Sequence, residues 1–180
     1  MQRTWGQSAG KSRKEKSMTP QRPNVGYPEI SKRLSPDWIV GFVDGEGCFH
    51  VSINKNEELR FNYQILPELT VVQHESDLNL LHTLRSVMGC GVVRRNHGDR
   101  YCWRVRKLDN LSKIIIPFFE KHPLKSKKAV AFKKFAHIVR LMQKKEHLTK
   151  DGFNRIVKTA LSMNRQKRKE IRIKIESVPK

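Results

Sequence analysis

Two carboxylates, Asp44 and Glu46, close an otherwise apolar run, Trp38-Ile-Val-Gly-Phe-Val-Asp-Gly-Glu-Gly47. An acid at the C-terminal end of a helix meets the negative pole of the helix dipole, and apolar neighbours strip it of water as well. A bound divalent cation reverses that penalty, so metal chemistry is the first function to weigh here. Gly41 and Gly45 stand four residues apart on one helix face, where the lack of side chains lets a second helix come close. The plainer alternative is that Gly45 and Gly47 merely end the helix and leave both acids exposed.

The flanking sequence indicates what positions this segment. Ser35 is a good N-cap, Pro36 suits the first helical turn and Asp37 suits the positive end of the dipole. A short helix from Trp38 to Val43, apolar on nearly every side, is expected to be buried all round. Phe49, Val51 and Ile53 then alternate with His50, Ser52 and Asn54, which predicts a strand with one polar face. After a turn at 55–58, a return strand from about Phe61 to Gln73 sets Ile65, Leu69 and Val71 against Gln64, Glu68 and Thr70. Pro67 marks an irregularity or an edge in it. A helix over 76–88, with a stripe of Leu78, Leu81, Leu84 and Arg85, ends at Gly89.

A second hairpin is predicted over 91–107, turning at His97-Gly-Asp99. Its returning strand has Tyr101, Trp103 and Val105 inward and Arg100, Cys102, Arg104 and Arg106 outward. Helices fill the rest: one spaced by Leu111, Ile114, Ile115 and Phe118 and bent or broken at Pro117, one by Phe132 to Met142, and one opened by Thr149. The order predicts an α+β domain: a four-stranded antiparallel sheet from two hairpins, helices on one face, and extra C-terminal helices. The exposed face of such a sheet, rich in arginine, fits a DNA major groove.

Charge narrows the partners. The 180 residues carry a net charge of +20, with +6 in residues 1–33, zero in 34–123 and +14 in 124–180. A neutral body with a strongly basic end attracts polyanions and releases their counterions, so nucleic acid comes before a membrane surface. The longest apolar run, Ile114–Phe119, is far short of a membrane span. The first thirty residues lack the apolar stretch of a secretory leader. Three scattered cysteines argue against a disulfide scaffold or a structural zinc site. Residues 1–33 are expected to be a flexible basic tail, 34–165 the folded domain and 166–180 a basic extension.

The segment Ile39-Val-Gly-Phe-Val-Asp-Gly-Glu-Gly47, followed by Cys48-Phe-His-Val-Ser-Ile53, resembles the motif of the LAGLIDADG homing endonucleases. Ile115-Ile-Pro-Phe-Phe119, Leu124-Lys125 and Asp151-Gly-Phe-Asn-Arg-Ile-Val157 extend the likeness over roughly residues 34–165. The resemblance implies the LAGLIDADG fold with an αββαββα core. One motif copy implies a homodimer, with Trp38, Gly41, Phe42 and Gly45 at the helix–helix contact. It also implies cleavage of both strands of a long, near-palindromic double-stranded DNA site, promoting mobility of a host intron.

Carried over by position, Glu46 falls on the family's metal-binding acid and the Gly45 carbonyl on a further ligand, for Mg2+ or another divalent ion such as Mn2+. Gln73 falls on a water-positioning residue and Lys125 on the active-site lysine. Asp77 departs from related single-motif enzymes, which can carry a basic group there. Asp44 is expected to be structural. DNA readout is expected from His50, Ser52, Asn54, Gln64, Glu68 and Thr70 on the first hairpin, and from Arg94, Asn96, Arg100, Cys102 and Arg104 on the second. Lys127, Lys128 and the 165–169 basic run are expected on phosphates. An RNA-binding maturase acting on intron RNA, or a non-catalytic DNA-binding regulator, is the alternative on the same fold. The setting implied is an organelle, chloroplast or mitochondrion, or else a bacterial cytoplasm.

Overall fold

The computed structural model describes residues 34–163. The expected tail 1–33, the extension 166–180 and the 165–169 basic run lie outside the described residues. Ser35 opens the fold as expected, its Oγ accepting the Trp38 N–H at 3.2 Å, with Pro36 in the first turn. Helix α1, Pro36–Glu46, runs directly into strand β1, Gly47–Lys55. β2, Tyr63–His74, returns antiparallel, pairing Gly47 with Val71 and Ile53 with Ile65. A 3-10 turn, Glu75–Asp77, leads into α2, Leu78–Met88, which Gly89 stops in the left-handed conformation at φ 64°. β3, Val92–His97, and β4, Arg100–Val105, form the second hairpin. The sheet order is β1-β2-β4-β3, antiparallel throughout. Helices α3, Leu108–Asn110, and α4, Ile116–Lys121, flank a π-helical turn, Leu111–Ile115, and α5, Lys128–Gln143, and α6, Lys150–Met163, complete the described residues.

Period-2 alternation does in the sheet what the sequence predicts. Phe49, Val51, Ile53, Ile65, Leu69, Val71, Trp103 and Val105 are buried toward the helices, in one core with Leu81, Leu84, Phe119, Phe135, Ile138 and Ile156. Phe49 meets Phe119 edge-on at 5.7 Å and also touches Phe132 and Phe135, which seats α4 and α5 on β1. Trp103, fully buried, donates its Nε1–H to the Cys90 carbonyl at 2.9 Å. The Glu75 N–H donates to the Asp99 carbonyl at 2.8 Å, and His74 Nε2 lies 2.9 Å from Asp99 Oδ2, so the end of β2 is tied to the turn of the second hairpin.

Pro67 sits opposite Val51 in unbroken register, and β4 pairs with β2 only from Leu69 onward. The residue with no N–H thus falls where β2 has a single neighbour, an edge rather than an irregularity.

Several expectations are corrected. α1 is not buried all round: Ile39, Val40 and Val43 are buried, whereas Trp38 is 40% exposed and Gly41, Gly45 and Glu46 are exposed. The stripe of α2 is Leu81, Leu84 and Met88, with Arg85 exposed. The helix around Pro117 does not break. The π-helical turn ahead of it absorbs the ring that cannot fit an α-helical turn, and the extra residue in that turn rotates the buried set to Leu111, Ile115, Ile116 and Phe119. Among the described residues, no helix is long and apolar enough to cross a membrane.

Candidate functional site

The C-terminal end of α1 is held from two sides. Gly47 is needed there because a Cβ would stand 2.6 Å from Val43 Cγ1 and 2.7 Å from the Val43 carbonyl oxygen. Only a residue without a side chain lets the helix pass straight into β1 at this spacing. From the other side, Asp44 Oδ2 accepts the backbone N–H groups of Lys125 and Ser126, both at 2.8 Å, and Oδ1 accepts the Ser126 hydroxyl at 2.6 Å. Asp44 is therefore structural, as expected, and it braces the loop ahead of α5. Burial raises its pKa, but the Ser126 hydroxyl, the two N–H groups and the charge of Lys128 outweigh that and hold it below the ordinary value.

That brace folds the start of α5 back over the end of α1. Lys128 Nζ donates to the Val43 carbonyl and to the Gly45 carbonyl, each at 3.0 Å. Burial pushes the Lys128 ammonium pKa down, while Asp44, Cys48 and Glu46 oppose the shift. Two residues expected in the site already have partners within the chain. The Gly45 carbonyl, read as a metal ligand, is already bonded to an ammonium, and Lys128, read as a phosphate contact, spends that ammonium on the end of the helix. Lys125 is on the same loop, but its side chain is exposed and, among the described residues, only its backbone N–H is engaged. The three lysines of Lys125-Ser-Lys-Lys128 look alike in sequence; α5 begins at Lys128, and that start selects it.

Glu46 is exposed beside this cluster and makes no hydrogen bond among the described residues. Among the described residues, no three His, Cys, Asp or Glu side chains gather as a metal site. Gln73 is half-buried, two residues past the Gly47–Val71 pair and opposite Tyr101, at the end of the sheet where α1 enters. The free face of α1 carries Trp38 stacked on Phe42 at 4.7 Å, beside Gly41, Gly45 and Glu46, around an open depression of about 400 Å³. A Cβ at Gly41 or at Gly45 would meet nothing within 4 Å.

The outer sheet face sorts the expected readout residues. His50 and Ser52 are half-buried on β1, and Asn54 and Gln64 are exposed and opposite each other. Arg94 and Arg100 are exposed on the second hairpin, and Asn96 is exposed at a register shift between Arg95 and His97. Lys127 is exposed at the start of α5. Cys102 does not offer itself: it is 0% exposed between Val72 and Arg94 in register, although it lies outside the main core cluster. Thr70 is likewise buried and gives its hydroxyl to Glu68. Glu68 is taken up by Thr70, Arg104 and Arg106. Alternation gave these three the correct face but not their depth. Arg106, which sequence reasoning left out of the readout set, is half-exposed beside them.

The model of the family described as LAGLIDADG endonuclease matches residues 39–139. The chain is 34% identical over 137 residues to a Neurospora crassa protein named probable intron-encoded endonuclease 3, covering 73% of this chain and 25% of that protein. It is 39% identical over 67 residues to the DNA endonuclease I-CvuI of Chlorella vulgaris, covering 36% of this chain and 42% of that one. The chain therefore spans less than half the length of these curated relatives. Among solved structures, the homing endonuclease I-TnaI is similar with a TM-score of 0.76 and 49% identity, covering 81% of this chain and 99% of that one. I-SmaMI bound to an uncleaved DNA target with calcium ions is similar with a TM-score of 0.78 and 31% identity, covering 82% of this chain and 51% of that one.

Proposed function

The chain belongs to the LAGLIDADG endonuclease family, and from that premise we propose that it is a homodimeric, site-specific homing endonuclease that hydrolyses both strands of a near-palindromic DNA duplex and so promotes intron mobility. One observation carries the reading: the glycine face of α1 is bare. Glycine inside a helix costs roughly 0.5–1 kcal/mol relative to alanine, and nothing among the described residues requires glycine at 41 or 45. A second copy of the same helix supplies the reason, with Trp38 and Phe42 covered at the same contact.

In the pair, each Glu46 stands beside its counterpart near the two-fold axis. The donor set fits a hard divalent ion, because an exposed carboxylate that makes no hydrogen bond among the described residues offers oxygen where phosphate oxygens supply the rest. Mg2+, or Mn2+ in its place, would be held by Glu46 of both chains, and when bound supplies a hydroxide at neutral pH and polarises the scissile phosphate. Gln73 orients the attacking water through its side-chain amide. Lys128 is the better candidate for the lysine of the site, because its ammonium is anchored on the Val43 and Gly45 carbonyls, three residues and one residue before Glu46. It fixes the helix end and adds positive charge toward the phosphate, and Lys125 stands further out on the loop. The outer sheet face lies in the major groove, and Lys127 touches phosphate. The setting we infer is an organelle.

The decisive experiment incubates the chain with a duplex library and Mg2+ beside Glu46→Gln. Cleavage abolished with binding retained supports the reading; undiminished cleavage by E46Q ends it. One feature favours a second reading as an RNA-binding maturase. Lys133, Lys144, Lys145, Lys150 and Lys158 are exposed on the helical layer rather than on the sheet. Tight binding to host intron RNA with no DNA cut under any divalent ion would establish that reading instead.

A further inference from the structure

On the sheet face proposed to contact DNA, we propose that Glu68 reads no base but acts as a positioning residue that fixes Arg104 and Arg106 as the guanidinium pair reading the DNA there. The inference rests on the endonuclease reading and deepens it.

The geometry is that of an acid already fully engaged. Glu68 Oε1 accepts the Thr70 hydroxyl and lies 3.1 Å from Arg104 Nε, and Oε2 accepts from Arg106 Nε. The side chains of Glu68 and Arg104 are only 13% and 14% exposed, while that of Arg106 is 50% exposed. A cytosine amino group seeking this carboxylate would have to displace one of the three donors and leave a buried cation without its counter-charge. Burial raises the Glu68 pKa, yet the bonds from Thr70 and Arg106 and the charges of both arginines keep it below the ordinary value.

Arg104 Nε is buried and lacks an aligned hydrogen-bond partner, so the neighbouring carboxylate holds that guanidinium by charge and packing. Among the described residues, neither arginine makes a hydrogen bond through its Nη groups. Those are the donors that meet guanine or phosphate in pairs. Each arginine thus keeps its outer donors free while its inner nitrogen faces one fixed anion. Arg104 is next to Thr70 in register, and Arg106, two residues on, reaches the same Glu68 carboxylate. The side-chain entropy of two long cations is lost on folding, before any duplex arrives, and need not be lost again on binding.

The test is selection from a randomised duplex library in EDTA, so that binding is read without cleavage. It compares wild type, Glu68→Ala, Glu68→Gln, and Arg104→Ala/Arg106→Ala with and without E68A. E68A is expected to tighten binding to random duplex, because a negative charge leaves the face, and to lose about tenfold in base preference at two or three adjoining positions. E68Q, which keeps the shape and loses the charge, should fall between. In the double-arginine background E68A should change the base preference no further, the signature of action through the arginines. Equal melting temperatures of E68Q and wild type would exclude misfolding as the cause. A preference that changes with E68A whether or not the arginines are present would overturn the inference in favour of direct readout. So would an unaltered preference profile. Wild type enriching no sequence at all would instead sink the endonuclease reading from which this one starts.

Discussion

Replacing Gly41 by glutamine should push the stability of the single chain and that of the pair in opposite directions. In one chain the position is the middle of α1, and a Cβ there meets nothing within 4 Å. Glutamine is among the better helix formers and glycine among the worst, so the isolated fold should gain roughly 0.5–1 kcal/mol. For a chain of this size that is about 1–4 °C in melting temperature. In the pair, a side chain several ångströms long stands where two helices must touch backbone to backbone, and the contact should open. Sedimentation equilibrium should show wild type as a dimer and G41Q as a monomer at the same concentration. Urea melts run far below the wild-type dissociation constant should show the variant slightly more stable. Cleavage should vanish, because two Glu46 carboxylates no longer meet. A G41Q chain that still dimerises and cuts would refute the placement of the contact on this face. A dilute monomer that is less stable than wild type would refute the claim that the glycine serves nothing inside its own chain.

Asp44→Asn should cost about 1–2 kcal/mol, since two N–H donors and a hydroxyl lose a charged acceptor at a partly exposed site. Because the folded carboxyl lies below its ordinary value, its contribution is complete above that value and disappears as pH falls through the folded one. Acid titrations of stability should therefore be flatter for D44N than for wild type in that window, and identical curves would deny the brace. Lys128→Met should abolish cleavage while leaving the salt dependence of metal-free DNA binding unchanged, because its ammonium is on helix carbonyls and not on a phosphate. Lys127→Gln should do the reverse, lowering the slope of log affinity against log salt by about one. A slope that falls for K128M with cutting intact would restore the phosphate assignment.

Much of the architecture could be read from pattern alone. Period 2 identified both hairpins and their inner faces, and the capping residues at 35–37 identified the start of α1. What escaped depends on distances that pattern does not carry. Alternation placed Thr70 and Cys102 outward correctly, yet both stand on inner strands with a neighbour on either side, and face is not depth. The stripe through residues 111–119 was shifted because a π-helical turn adds a residue that no 3.6-residue period anticipates. The identity of the lysine at the helix end was beyond sequence, since the choice among three candidates is made where Asp44 pins the loop.

The proline at position 67 has a bearing on how the molecule avoids its own kind. Ahead of Leu69, β2 pairs with β1 on one flank and, among the described residues, has no β4 partner on the other, the kind of strand border on which a foreign extended segment can pair. Proline withholds a donor at that border and discourages a stray strand from zipping onto it. A protein proposed to pair helix to helix has reason to forbid pairing strand to strand. By that logic, Pro67→Val would be tolerated by the fold and would express itself as fibrils or amorphous precipitate on concentration.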